Sequence, residues 1–150
     1  FVDTGLVNKT RYYYRAQAVA DATRSTWSTR VSAVPLPPPP ASAPAGLTAT
    51  PGNARVTLAW EPVPTATSYR VFRSDSATAE AAIATVTTTT FRNSSLVNGT
   101  AYTYRVAARN DGGLGPHSVP VVARPVAAPL APATTSAAGG DHEVRLTWAV

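Results

Sequence analysis

Apolar and polar residues alternate with a period of two along most of this chain. In ARVTLAW, residues 54–60, Val56, Leu58 and Trp60 share one face, and Arg55, Thr57 and Ala59 share the other. That alternation predicts a half-buried β-strand. SYRVFRS, residues 68–74, turns Tyr69 and Val71 inward and Arg70, Phe72 and Ser74 outward. AYTYRVAAR, residues 101–109, does the same with Tyr102, Tyr104, Val106 and Ala108 inward. β-Branched and aromatic residues fill these runs, as strands prefer. AAIATVTTTTF adds one or two strands, and TPGNA, EPVPTA, NSSLVNGT and NDGGLGP supply turns. Short strands with such punctuation predict an all-β sandwich, and no segment requires a long helix.

Two Pro-rich stretches interrupt the alternation, VPLPPPPASAPAG at 34–46 and RPVAAPLAPATTSAAGG at 124–140. Proline fixes φ and donates no ladder hydrogen bond, so both read as extended, semi-rigid connectors. The first also contains PxxP, a pattern that SH3-type grooves can bind, but a stiff spacer is the better reading.

The chain repeats itself. LVNKTRYYYRAQA at 6–18 returns as LVNGTAYTYRVAA at 96–108, an offset of 96 − 6 = 90. Leu6, Asn8, Thr10, Tyr12, Tyr14, Arg15, Ser28, Val31 and Pro35 all recur at that offset. Pro44, Gly52, Val56, Leu58 and Trp60 recur as Pro132, Gly140, Val144, Leu146 and Trp148, an offset of 148 − 60 = 88. One whole repeat therefore lies between the back of one copy and the front of another.

The whole repeat resembles the fibronectin type III module. The resemblance rests on Pro44-Ala-Gly-Leu47, Val56-x-Leu58-x-Trp60-x-x-Val63 and Tyr69-x-Val71-x-Arg73. It continues through Phe91-x-Asn93-x-x-Leu96-x-x-x-Thr100-x-Tyr102-x-Tyr104-x-Val106-x-Ala108-x-Asn110 to Gly115-x-x-Ser118. It implies tandem immunoglobulin-like sandwiches, one complete and two partial. The implied division is a C-terminal part at 1–36, a Pro-rich linker at 37–43, a complete module at 44–125, a linker at 126–131 and an N-terminal part at 132–150. It also implies a tyrosine corner at Leu96–Tyr102, with Tyr12 as its counterpart, and a core built on Trp60, Leu96 and Tyr102, with Trp148 equivalent to Trp60. Because both partial repeats are ragged, the chain is expected to be a window on a longer protein. Completion of the halves by strands of neighbouring chains is the alternative.

Charge adds little to this picture. There are 13 basic and 8 acidic residues, net +5, and the Arg residues are spread along the chain, against a nucleic-acid site. Heavy use of Ala, Pro and Arg is associated with GC-rich bacterial genomes. Neither a membrane-spanning apolar run nor a signal segment is evident. With no Cys, thiolate metal sites and disulfides are excluded. His117 and His142 fall in different repeats, and no nucleophile elbow, phosphate loop or carboxylate pair is present, so no catalytic residue, metal or cofactor is expected.

The candidate binding residues are Arg70, Phe72, Arg105 and Arg109, which the family fold would bring to one outward sheet face, with Thr103 beside them. Such a face suits acidic glycans or carboxylates, while packing of Arg stems on Phe72 is the simpler expectation. Trp27 in STWSTR looks like half of the tryptophan–serine repeat of cytokine-receptor modules, which implies stacking on Arg15 or Arg11. The loop at 110–118 corresponds to the one bearing Arg-Gly-Asp in integrin-binding members, a tripeptide this chain lacks. Asn8, Asn93 and Asn98 begin sequons that a bacterial source would leave unused. The expected function is a non-catalytic spacer in a secreted or cell-surface repeat protein, forming a stalk or fibre and contributing to assembly or adhesion. Expected partners are neighbouring modules, copies of the same protein, or cell-surface and matrix glycans, with no nucleic acid and no membrane insertion. The alternative is an accessory module of a secreted polysaccharide-degrading enzyme.

Overall fold

A computed structural model describes residues 1–131 and 135–148. Its elements are all strands: β1 (Tyr12–Tyr14), β2 (Val19–Ala20), β3 (Thr23–Arg24), β4 (Val31–Ala33), β5 (Thr48–Gly52), β6 (Arg55–Ala59), β7 (Ser68–Ser74), β8 (Ala81–Val86), β9 (Thr90–Ser94), β10 (Tyr102–Asn110), β11 (Gly113–His117), β12 (Val121–Ala123), β13 (Thr135–Gly140) and β14 (Glu143–Trp148). β5–β12 form a sandwich. One sheet runs β5-β6-β9; the other runs β11-β10-β7-β8, with β12 also on β10.

The period-two pattern explains which faces meet. Val56, Leu58 and Trp60 of β6 face Tyr69 and Val71 of β7 and Tyr102, Tyr104, Val106 and Ala108 of β10. Val56, Leu58, Val71, Tyr104 and Val106 are wholly buried. Trp60 and Tyr69 meet edge to face with centroids 5.5 Å apart, a geometry aromatic quadrupoles favour.

The flanking strands repeat this fold residue by residue. Tyr12 pairs with Ala33 as Tyr102 pairs with Ala123, and Val19 pairs with Arg24 as Arg109 pairs with Leu114, each at 102 − 12 = 90. Ser136 pairs with Thr147 as Thr48 pairs with Ala59, at 136 − 48 = 88. Trp148, however, is 61 % exposed where Trp60 is 5 %. The β13–β14 hairpin meets no facing sheet among the described residues, so Trp148 is not part of a closed core here. Tyr12 is half-buried for the same reason, in a two-stranded β1–β4 sheet.

Each corner is closed by its tyrosine. The Val97 amide donates to the Tyr102 hydroxyl at 3.1 Å, and the Val7 amide to the Tyr12 hydroxyl at 2.9 Å. Gly99, at φ 83°, takes a left-handed turn that its missing Cβ makes cheap. The Asn98 side-chain oxygen accepts from the Ala54 amide at 2.9 Å, so the corner also holds the β5–β6 turn.

Candidate interaction surface

The outward face of the β7–β10 sheet brings together three of the four candidate binding residues. Arg105 lies opposite Phe72, and Arg70 lies opposite Ala107; Arg109 lies further along, opposite Ser68. Two side chains that sequence reasoning did not place here complete the cluster. His117 of β11 also pairs with Ala107. Its ring stacks on Phe72 at 4.4 Å between centroids and 30° between planes. Glu80, just before β8, reaches to 3.6 Å from Arg105 Nε and 3.5 Å from His117 Nδ1. The Arg70 guanidinium stands 5.9 Å from the centroid of Phe72. Together these groups roof over Ala107, which is fully buried although it points outward.

The arrangement is partly self-satisfied, with Arg105 Nε buried and without a hydrogen bond among the described residues. The ring of Phe72 is engaged by His117 and Arg70, and the charge of Arg105 by Glu80. Stem-on-ring packing of this kind contributes about 0.5–1 kcal/mol per cation–π contact at exposed sites. Arg70 makes no ion pair among the described residues, and Arg109 is exposed. The face presents the Arg70 guanidinium beside an aromatic already in use, with Arg109 further along the strand.

A second polar cluster lies on the inward side. Arg73 follows Tyr69 and Val71 at the same parity, and its guanidinium sits 5.2 Å from the Tyr102 ring centroid and donates to Asn93 Oδ1 at 3.1 Å. The Tyr104 hydroxyl donates to the same oxygen at 3.0 Å. Burial pushes the Tyr104 phenol up to about 12, against the smaller downward pull of Arg73. The parity of Arg73 was the signal for this network, but an arginine at a core-facing position reads as surface unless its partner Asn93 is known. That network occupies the side-chain oxygen of the sequon residue Asn93. The amide of Asn98 is engaged too, its nitrogen donating to Asn53 Oδ1 at 2.9 Å.

The remaining candidates are spread apart. The guanidinium stack near Trp27 is Arg30 over Tyr13, 4.6 Å from the ring centroid, while Arg11 donates to Ser32 Oγ at 3.1 Å. Arg15 shares a shallow hollow with Tyr13 and Trp27. A hollow of about 600 Å³ is lined by residues including Phe1, Leu6, Tyr14 and Val31. These are the counterparts of Phe91, Leu96, Tyr104 and Val121 in the core of 44–125, so the hollow is a core face that no second sheet covers among the described residues. His142 Nε2 lies 3.4 Å from the Asp141 carboxylate, both almost fully exposed. No group of three or more His, Asp or Glu suited to a metal ion occurs among the described residues, and they contain no helix long and apolar enough to cross a membrane.

Residues 42–124 match the family model described as the Fibronectin type III domain. No curated protein matches the chain. Among solved structures, the chicken CNTN1 FN1-FN3 domains superpose with a TM-score of 0.63 at 17 % identity, over 83 % of this chain and 46 % of that one. The chain thus spans under half of that relative's length. The FN5 domain of Drosophila Lar superposes with a TM-score of 0.50 at 23 % identity, over 59 % of this chain and 99 % of that one. At these identities the likeness speaks for the fold, and it agrees with the sandwich topology and the tyrosine corner. The match over 42–124 takes in more than half of the 150 residues, and the chain belongs to the fibronectin type III family.

Proposed function

We propose that this chain is a non-catalytic spacing segment of an extracellular repeat protein, part of a stalk or fibre that holds other parts at a distance. Modules of this family often serve as structural, spacer or accessory units and are commonly extracellular. The observation that carries the reading is the repeated strand register on both sides of the complete sandwich, at offsets of 90 and 88 residues. Repeating one sandwich along a chain makes length, with each unit contacting chiefly its neighbours. The inward polar cluster supports the same reading, because Arg73, Tyr104 and Asn93 bond to one another rather than converging on a space where a reacting atom could sit.

Single-molecule stretching of the parent polypeptide tests this. Unfolding of 44–125, which is 125 − 44 + 1 = 82 residues, should release a contour of about 270–300 Å at ~3.3–3.6 Å per residue. A series of equal peaks at that increment supports a mechanical array. An extension without discrete peaks, or polysaccharide hydrolysis by these residues alone, would overturn the reading.

A further inference from the structure

The Pro-rich stretch before the complete module does not run free. Pro40 is fully buried. Asn110, itself only 6 % exposed at the end of β10, donates from Nδ2 to the Pro38 carbonyl at 2.9 Å. Its Oδ1 accepts from the Gly112 amide at 2.8 Å, which shapes the β10–β11 turn around that bond. Gly112 and Gly115 then press against the proline backbone. A Cβ on Gly112 would overlap the carbonyl oxygen of Pro37, and one on Gly115 would overlap that of Pro40. Proline carbonyls are acceptors with no neighbouring amide donor of their own, so an extended Pro run offers the hairpin a rigid, acceptor-only rail.

The preceding half-module is tied to the same hairpin. Lys9, in the corner turn that corresponds to Asn98-Gly99, forms an ion pair with Asp111 at the hairpin tip. The Lys9 amide donates to the Pro35 carbonyl at 2.8 Å, which fixes where the rail leaves that module. The counterpart bond, Gly99 amide to Pro125 carbonyl at 2.8 Å, sets the exit from the complete module in the same way.

We propose that the β10–β11 hairpin is a clamp for the Pro37–Pro40 rail, and that the clamp locks the two modules into a joint of fixed angle. Residues 35–40 then act as a splint, and the hairpin tip is committed to a neighbouring module of its own chain. Two consequences follow. The PxxP run is unavailable to an SH3-type groove, because its backbone is occupied by Gly112, Gly115 and Asn110. The stalk also has a set direction at this joint. The inference builds on the spacer reading but does not share its test, because a stalk with a loose joint would still unfold in equal steps.

The absence of Cys allows two labels to be placed cleanly. Ala22→Cys in the β2–β3 turn and Thr87→Cys after β8 are exposed positions, one in each module. Spin labels on the full chain should give one narrow distance distribution. Gly112→Ala, which drives a Cβ into the rail, should broaden it several-fold while the melt of the complete module stays cooperative. Replacing Pro37–Pro40 with Gly-Ser-Gly-Ser should broaden it without touching the hairpin, which keeps the test informative should Gly112→Ala misfold. A broad distribution in the parent chain, or a narrow one that survives the linker replacement, would overturn the joint.

Discussion

Tyr104 offers the sharpest test of the inward network, because one phenol reports both burial and the Asn93 bond. Its side chain has no exposure and its hydroxyl donates to Asn93 Oδ1 at 3.0 Å. An unfolded phenol ionises near 10, whereas burial holds the folded one near about 12. Between those values the unfolded state carries fewer protons, so stability falls as pH rises. The contribution is complete below pH 10 and lost as pH climbs through about 12. Two units correspond to roughly 2.7 kcal/mol at 1.36 kcal/mol per unit. Tyr104→Phe removes the titration. It also leaves Asn93 with Arg73 as its remaining partner in the network, at a cost of about 0.5–1.5 kcal/mol at neutral pH. Urea melts of both proteins from pH 8 to 12 separate these effects, since the other tyrosines titrate in both. The variant should be the less stable at pH 8 and the more stable near pH 12. Parallel stability profiles, with no crossing, would refute a buried phenol at this position.

Other substitutions probe the sandwich elsewhere. Trp60→Ala should cost about 3–5 kcal/mol by opening the centre of the core, while Trp60→Phe should cost distinctly less, because Trp60 Nε1 has no hydrogen-bond acceptor among the described residues; chemical denaturation of the two measures the gap. Ser118, 4 % exposed, accepts from the Val106 amide through Oγ at 3.0 Å, so Ser118→Ala should cost about 1–3 kcal/mol by leaving a buried donor unmet, whereas Ser118→Thr should recover part of that in a thermal melt. Lys9 holds the Asp111 carboxyl below its usual range through a hydrogen bond and its charge. Acidification through that lowered range should therefore weaken the Lys9–Asp111 tie, and the label-to-label distance should broaden at low pH in the parent chain but not further in Asp111→Asn.

The strands and the core were legible because a single physical signal, alternation, decides both. Val56, Leu58, Trp60, Tyr69, Val71, Tyr102 and Tyr104 are inward by parity and buried in the structure. Clusters joined across strands were harder to read. Phe72 and Arg105 could be paired once β7 and β10 were assigned to one sheet, but Glu80 reaches Arg105 and His117 from a segment with no distinctive pattern. Register is a relation between strands, and no residue carries it alone. Arg73 shows the reverse problem. It shares the parity of Tyr69 and Val71, yet a cation facing a core is credible only beside Asn93, 20 residues away in sequence. The proline rail was legible as stiff and extended, but its neighbour was not, because a contact between Pro38 and Asn110 spans 72 residues.

The comparison of His117 with Trp27 shows how one fold can hold a position while its chemistry changes. The two residues are equivalent at 117 − 27 = 90, and the hydrogen bonds beside them are conserved between the copies. The Ala16 amide donates to Ser28 Oγ at 2.9 Å as the Val106 amide donates to Ser118 Oγ at 3.0 Å. The backbone there is thus set by serine, leaving the preceding aromatic free to vary. In the complete module the ring at that position lies on Phe72, with a carboxylate 3.5 Å from its nitrogen. An indole could keep the stack but would not place a ring nitrogen beside Glu80 as the imidazole Nδ1 does. His117→Trp should therefore preserve the fold and the Phe72 contact while releasing Glu80 to Arg105 alone. Chemical shifts of Arg105 Nε should respond, with a stability change of under about 1 kcal/mol, as expected for an exchange among partly exposed charges. A large loss of stability would show instead that His117 is held by its contact with Glu80, and that the outward face is a polar network before it is a packed surface.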